Sequence, residues 1–409
     1  MLPSVTVAAS TLRKPAFPDS VVRMMRVIQV VNVRWFNATA WYGLELARLG
    51  NAAGHPSLVL GLPGSDPLRQ AEALSLPHAG LPFNTRTPLA WPGLFARMRD
   101  IVRDFQPDVV NCHRGEAFVF WAILRTLLPV AQRFALIRTR GDQRLPRANP
   151  VNTWLHTRMA DAVITTNQRM TRYFAGTVGV PAAQLSTILG GVDTGRFAFA
   201  AQKREHMRAA LGYAPDDVVI GLLGRFDRVK GQKECLEAVA SLVREGLPVR
   251  LLLIGFATAT SEEEVLAWMH EAGLDEQRVR ITGRVDDVPA YLAALDVGVI
   301  ASLWSEAIAR AALEIMACDR PLLSTDVGVM PDLLPPEALC PAGDVPALAT
   351  LLRRAVLDPD WLERLRESNR QRMRLLDSGS FWGETLAVYN RARRAAKFCK
   401  QPCGLSFWL

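Results

Sequence analysis

The feature that most constrains this chain is a pattern that runs its course and then restarts. "RVIQVVNV" (26–33), "PSLVLGL" (56–62), "PDVVNC" (107–112), "FALIRT" (134–139) and "DAVITTN" (161–167) read as strands, with segments of helical length and periodicity between them, such as "WYGLELARLGNAAG" (41–54). Near-continuous Val/Ile/Leu strands separated by helices indicate buried parallel sheets built from right-handed crossovers. A second set follows: "DVVIGLLG" (217–224), "VRLLLIG" (249–255), "VRIT" (279–282), "DVGVIAS" (296–302) and "RPLLST" (320–325). The glycine-containing, polar stretch "LGGVDTGRFAFAAQKREHM" lies between the sets and suits a hinge. At 409 residues the chain is too long for one ordinary core. The expected class is therefore α/β, with two doubly wound Rossmann-like domains at about 24–195 and 205–378. In such sheets ligands sit at the carboxyl ends of strands, so residues just after each strand carry the functional reading.

Composition narrows the class further. A hydrophobic share of 49% and a charged share of 22% are those of a folded protein. No apolar run reaches the roughly 18–20 residues that cross a bilayer. The nearest, "AFVFWAILRTLLPV" (117–130), contains Arg125 and reads as a buried helix. The six cysteines are scattered and lack a histidine cluster, which argues against a zinc site or disulfide framework and fits a reducing cytoplasm. The start, residues 1–23, lacks the uninterrupted apolar stretch of a signal peptide and reads as a flexible extension; Met24 and Met25 are alternative starts.

Charge is unevenly placed. Residues 1–198 hold 22 Lys+Arg against 11 Asp+Glu, whereas 199–409 hold 26 against 29. Nearly all the cations of the first half are arginine, which favours bidentate recognition of phosphate, so an acidic or phosphorylated partner is expected; a solvated basic surface is the alternative. No nucleic-acid-binding motif accompanies them. The closing helix (380–398) has Trp382, Leu386 and Tyr389 on one side and a basic end that suits anionic headgroups or simply the helix C-terminus.

Four strand ends carry chemistry. In "GLLGRFDRVKGQKECLEAVASL", Gly224 turns the chain and Arg225 and Lys230 precede a helix, an arrangement suited to a diphosphate or to two solvated cations. No Walker loop is present. In "SLWSEAIARAALEIMACDRP" (302–321), Ser305 is expected to cap a helix, leaving the N–H groups of Ala307, Ile308 and Ala309 as free donors in its first turn. Glu306 then stands at the helix mouth and Glu314 two turns in, where carboxylates can accept from vicinal sugar hydroxyls or make ordinary dipole and ion-pair contacts. His113 and Arg114 follow "PDVVNC", and "RTRGDQRLPR" packs Arg138, Arg140, Asp142 and Arg144 into a loop that looks anion-receiving.

Together, "GH" at Gly54-His55, "PDVVNCH", "ILGGVDTGRF", "GLLGRFDRVKGQ", "ITGRVDDVPAYLAALDVGVIASLWSEA" and the E-x7-E of Glu306 and Glu314 resemble the retaining family 4 glycosyltransferases of the GT-B fold, from about residue 24 to about 395. The "RTRGD…NPVN…MADAVITTN" segment looks most like bacterial enzymes that build lipopolysaccharide core or similar surface glycans. The resemblance implies two domains facing a central cleft, with the closing helix packing back on the first. It also implies a nucleotide-diphosphate sugar (UDP-, GDP- or ADP-linked) as co-substrate, an anionic glycan or glycolipid acceptor, no cofactor and no metal. Arg225 and Lys230 would hold the diphosphate and Glu314 the ribose. Glu306 and the backbone of Ala307–Ala309 would hold the transferred sugar, Arg284 and Val285 the base, and His113 would lie beside the sugar. A cytoplasmic location, with peripheral contact at the inner membrane, follows from the same likeness.

The chain departs from the family pattern at three places. Glu306-Ala307-Ile308-Ala309 replaces Glu-Gly-Phe-Gly, "RWFNATAW" (34–41) replaces a Gly-Gly loop, and Gly328-Val329 replaces a second Gly-Gly. Added methyl groups narrow the space where backbone must approach a donor. Two rival functions stay open at this point. One is a sugar-nucleotide 2-epimerase of the same architecture, which needs more acid/base groups than His113. The other is a non-catalytic glycan- or lipid-binding scaffold, motivated by the departures from glycine.

Overall fold

The computed structural model describes residues 24–85 and 87–398; the extension at 1–23 and Cys399, Lys400 and Cys403 lie outside the described residues. The first sheet contains β1 (Val27–Val31), β2 (Ser57–Gly61), β3 (His78–Gly80), β4 (Val109–Cys112), β5 (Ala135–Arg140), β6 (Ala162–Thr165) and β7 (Leu185–Thr187). The second contains β8 (Val218–Leu223), β9 (Val249–Ile254), β10 (Val279–Ile281), β11 (Val297–Ile300), β12 (Leu322–Thr325) and β13 (Leu339–Cys340). Their orders are β3-β2-β1-β4-β5-β6-β7 and β10-β9-β8-β11-β12-β13, and every pairing is parallel.

This topology says where a ligand crevice must open. Strand order reverses between β1 and β4 in the first sheet and between β8 and β11 in the second. Loops that leave adjacent strands in opposite directions part there, leaving a gap at the carboxyl ends. His113 follows β4, Arg225 to Lys230 follow β8, and Ser302 to Glu306 follow β11. Three of the four strand ends singled out from the sequence therefore flank a switch point.

The last helix, Ser378–Phe398, returns to the first sheet. Its Phe381, Trp382, Val388 and Tyr389 join a core with Val27, Tyr42, Val109, Ile137 and Ile164. The same core admits Ile308 from the second domain, which is wholly buried, with Ala307 packed against its edge. A methyl built on Gly190 or Gly141 of the first domain would lie 3.6 or 3.4 Å from Ile308. The domains therefore meet through an apolar contact at the mouth of the β11 loop.

Two expectations about helices are corrected. The segment 117–130 is not a buried helix. The helix Gly115–Leu127 buries Ala117, Phe118, Trp121 and Leu124 against the sheet, while Val119, Ile123 and Leu127 face outward. A helix laid on one face of a sheet can bury only part of its circumference, and here the outer part is aliphatic as well. The second correction concerns Ser305. The helix begins at Arg310, with Ala309 as its N-terminal cap residue in the left-handed region at φ 48°, ψ 48°. Residues 305–309 are loop, and Glu314 lies one turn into the helix.

Candidate functional site at the carboxyl ends of the strands

The β8 and β11 loops are pressed together by backbone geometry. Gly231 has φ +70°, and a methyl on it would lie 1.9 Å from the Ala301 carbonyl oxygen, so only glycine allows the approach. Lys230, beside it, makes an ion pair with Glu306 through Oε1. The Ser302 hydroxyl donates to that same oxygen, and Thr325 Oγ1 donates to the Ser302 carbonyl at 2.6 Å. A third loop closes the arrangement: the N–H of Val329 donates to the Glu306 carbonyl at 2.8 Å. Gly328, at φ +66°, has no room for a methyl, which would fall 2.0 Å from that carbonyl oxygen. Glu306 is 5% exposed, so its carboxylate is held by partners from two strand ends rather than by water.

Arg225 sits at the rim, half-exposed, paired with Asp227 at 2.9 Å. Gly224 precedes it at the end of β8, and Gln232 Nε2 donates to the Arg225 carbonyl at 2.9 Å, tying the loop to the following helix. Arg284 stacks its guanidinium over the Phe256 ring at 4.0 Å, with Val285 beside it, half-buried, after the left-handed turn at Gly283. That stack presents a flat cationic surface at the end of β10.

Glu314 is nearly buried, and burial raises its carboxyl above the usual range, with Arg310 opposing the shift. Arg310 Nε donates to Glu314 Oε1 at 2.6 Å, and the same guanidinium lies 5.6 Å from the Trp41 ring centroid in the first domain. Neither Arg310 nor Trp41 was singled out from the sequence. The four-residue spacing of Arg310 and Glu314 on one helix face is the signal that announces the pair.

On the other side of the interface, His113 is buried and its ring is fixed. Its Nε2 lies 2.9 Å from Gln29 Oε1. The Gln29 amide is oriented by its other end, since Nε2 donates to Tyr389 Oη at 3.0 Å. Gln29 Oε1 therefore can only accept, so His113 carries its proton on Nε2 and its lone pair on Nδ1. Asn111 completes the network: its Nδ2 donates to Gln29 Oε1 and to Tyr389 Oη, and its Oδ1 accepts from Thr139 Oγ1 at 2.8 Å. Burial, then the nearby Arg138 charge, depress the His113 pKa to about 3, so the ring stays neutral. The signal for this network was two amides, Gln29 and Asn111, inside apolar strands; register pairs them directly.

The four residues expected to receive an acceptor do not form one open loop. Arg138 is buried and braces the carbonyls of Cys112 (2.9 Å) and Thr139 (2.5 Å). It points inward because, two positions from Leu136 along β5, it shares with that residue the strand face beneath the outer helices. Arg140 pairs with Asp142 at 2.7 Å and donates to the Arg144 carbonyl, leaving the Arg144 side chain exposed. The neighbouring Gln143 approaches Gly328 of the second domain. Among the described residues no group of three or more His, Cys, Asp or Glu is placed to hold a metal ion.

The fold is GT-B: two Rossmann-like α/β domains meeting at the carboxyl ends of their sheets. Residues 39–196 match the model described as Glycosyltransferase Family 4, and 217–358 match the one described as Glycosyl transferases group 1. The chain is thus built from a family 4 glycosyltransferase domain followed by a group 1 domain. It is 32% identical over 219 residues to the lipopolysaccharide core biosynthesis mannosyltransferase LpsB of Rhizobium meliloti, covering 52% of this chain and 57% of that one. It is 29% identical over 220 residues to a 2-deoxystreptamine glucosyltransferase of Streptomyces kanamyceticus, covering 52% and 56%. The chain thus spans just over half the length of these two relatives. Among solved structures, the Anabaena Alr3699/HepE protein in complex with UDP superimposes with a TM-score of 0.76 at 20% identity, covering 90% of this chain and all of that one.

Proposed function

We propose that this protein is a retaining glycosyltransferase. In this reading it moves a sugar from a nucleotide-diphosphate donor to a glycan or lipid-linked acceptor, in the assembly of lipopolysaccharide or another surface glycan. The observation that carries the reading is the contact between Lys230 and Glu306, which joins two strand ends at the switch point of the group 1 domain. The likeness to LpsB supports the surface-glycan role, and a neighbour solved with UDP supports a nucleotide donor.

In this reading Arg225 and Lys230 neutralise the departing diphosphate, an electrostatic contribution realised as charge develops. Glu306 and the backbone of residues 307–309 orient the sugar. Glu314, held by Arg310, accepts from the ribose hydroxyls, and the base lies against Arg284 and Val285. The neutral His113, with its lone pair on Nδ1, accepts from a sugar hydroxyl without adding charge. No carboxylate stands as a free nucleophile, because Glu306 is already committed to Lys230 and Ser302. Substitution on the same face, with the diphosphate taking the acceptor proton, fits that arrangement, and no metal is required by it.

The test is incubation of the purified chain with UDP-, GDP- and ADP-sugars and a lipopolysaccharide-core acceptor, with the product linkage read by NMR. An acceptor-dependent product with the donor's anomeric configuration supports the reading. Conversion of the donor without any acceptor would instead establish an epimerase, and no turnover of any donor would favour a binding scaffold.

A further inference from the structure

Three polar atoms lie inside the outer layer of the first domain with no partner among the described residues. Arg138 is 1% exposed; its Nη1 is spent on the Cys112 and Thr139 carbonyls, and its Nη2 is buried and unpartnered. Arg140 repeats the pattern two residues on. Its Nη2 serves Asp142 and the Arg144 carbonyl, while its buried Nε has no acceptor. The third atom belongs to His156, which is 5% exposed, with its ring 5.5 Å from that of Phe118 and 5.0 Å from that of Phe174. His156 Nδ1 lies 2.7 Å from the Asn152 carbonyl oxygen, which can only accept. The hydrogen is therefore on Nδ1, and the unpartnered Nε2 holds a lone pair.

The three side chains share one place. Arg138 and Arg140 alternate onto the strand face covered by the helix Gly115–Leu127 and the turn Leu155–Met159, which carries His156. Burial, helped by the Arg138 and Arg140 charges, lowers the His156 pKa to about 4, so the ring is neutral. Asp142 and Glu116 are the carboxylates whose charge reaches the two guanidinium groups. Asp142 is paired with Arg140 and Glu116 with Arg114, so the Arg138 charge is left uncompensated.

The chemistry of these atoms selects a ligand. Two donors, one acceptor and one surplus positive charge have to be answered together. A buried water answers the hydrogen bonds but not the charge. A carboxylate or sulfate answers the charge and both donors, yet at neutral pH it brings no proton for His156 Nε2. A phosphate monoester, whose second pKa is about 6, answers all of them. Two of its oxygens accept from Arg138 Nη2 and Arg140 Nε, and a third shares a proton with His156 Nε2.

We propose that Arg138, Arg140 and His156 form a site for a phosphate monoester carried by the acceptor glycan. The proposal deepens the glycosyltransferase reading, and rests on it for the carrier of the phosphate. Arg138 is in register with Cys112, the residue before His113. The phosphate and the reacting hydroxyl of the acceptor are thus held on neighbouring strands at one edge of the first sheet.

The test is calorimetric titration of the full chain with methyl phosphate, inorganic phosphate and sulfate, with no sugar donor present. Both phosphates are expected to bind at least about tenfold more tightly than sulfate. His156→Phe keeps an aromatic ring between Phe118 and Phe174 and removes Nε2. It is expected to lose at least about tenfold in phosphate affinity, to leave sulfate affinity unchanged and to melt as the parent does. Arg138→Gln is expected to weaken both anions. Arg140→Gln, at a half-buried position, gives the same readout if loss of the buried Arg138 guanidinium costs the fold. Absence of phosphate binding in the parent would show that solvent alone answers these atoms, and overturns the proposal. Equal affinity for phosphate and sulfate, or phosphate binding indifferent to His156→Phe and Arg140→Gln, overturns it too. Binding of inorganic phosphate with methyl phosphate refused would assign the site to the free ion and remove the acceptor role. Each of these outcomes is read without sugar transfer, so failure of the site and failure of the transferase reading are separable.

Discussion

Gln29 and Tyr389, separated by 360 positions in sequence, share a hydrogen bond of 3.0 Å, and that bond sets the tautomer of His113. Replacing Tyr389 with Phe removes the acceptor of two amide donors, Gln29 and Asn111, in a fully buried site. A loss of about 1–3 kcal/mol in stability is expected. A functional consequence follows if Gln29 then turns over and offers its amide hydrogens to His113. The ring would be forced to carry its proton on Nδ1 and would no longer accept there. Nitrogen-15 NMR of His113 is expected to show the Nε2–H form in the parent and a changed form in Tyr389→Phe. An identical histidine signal in both would refute the link.

Lys230 offers a direct check on the donor site. Lys230→Ala should weaken nucleotide-diphosphate binding at least about tenfold, roughly 1.4 kcal/mol, while Lys230→Arg retains part of it. Calorimetric titration with UDP, GDP and ADP measures both variants. Unchanged affinity in Lys230→Ala sinks the phosphate role. The Ala variant should also melt lower than the Arg variant, because Glu306 would be left buried with only neutral partners.

The pair formed by Arg310 and Glu314 should leave a signature in pH. Burial raises the Glu314 pKa above its ordinary value, so between that value and the raised one the folded state binds more protons than the unfolded state. Stability contributed by this group therefore falls as pH rises through that window. Arg310→Met removes the charge that opposes the shift, pushing the window upward. The variant should lose about 1–3 kcal/mol at neutral pH and progressively less as the solution is acidified. Denaturant melts at several pH values test this; a loss independent of pH would show that Glu314 is not the group involved.

Ala309 sits where the resemblance leads one to expect glycine, and its φ of 48° gives the reason. The left-handed region costs a residue with a Cβ about 1–2 kcal/mol. Against that, Ala309→Gly gives up a buried methyl worth about 0.8 kcal/mol and frees the unfolded chain by a further ~0.4–1 kcal/mol. The terms nearly cancel, so Ala309→Gly should be neutral within about 1 kcal/mol. Ala309→Val, β-branched at a positive φ, should cost several times more. Thermal melts rank the three; a strongly destabilised glycine variant would show that the methyl contact, not the backbone, governs this position.

Much of this molecule was legible in the sequence because its strands are buried on both faces. Ten of the strands announce themselves as apolar runs, and their restart after "LGGVDTGRF" marks the second sheet. The strands that escaped notice, β3, β7 and β13, are "HAG", "LST" and "LC", too short and too weakly apolar for periodicity to register. Lys230 and Glu306 could each be placed at a strand end, but their direct contact could not, because it depends on which strands are neighbours at the switch point. Arg138 shows the opposite limit. Its place in an arginine-rich loop suggested a ligand, whereas alternation along β5 sends its side chain inward to brace carbonyl groups. The outer face of helix Gly115–Leu127 misled for a related reason: aliphatic content alone does not say which side of a helix faces the core.

The return of the last helix to the first sheet bears on how the protein is made. In chain order β1 and β4 come well before the helix that covers them, so Gln29 and Asn111 emerge from the ribosome long before Tyr389 exists to receive their amide hydrogens. Among the described residues the second domain contributes Ile308 and the adjoining Ala307 to the core that this helix closes, and it can assemble in the interval on contacts of its own. The amino-terminal domain, first to be translated, is thus the last to be completed. A ribosome stalled short of codon 378 would display an unfinished polar seam in an otherwise apolar sheet.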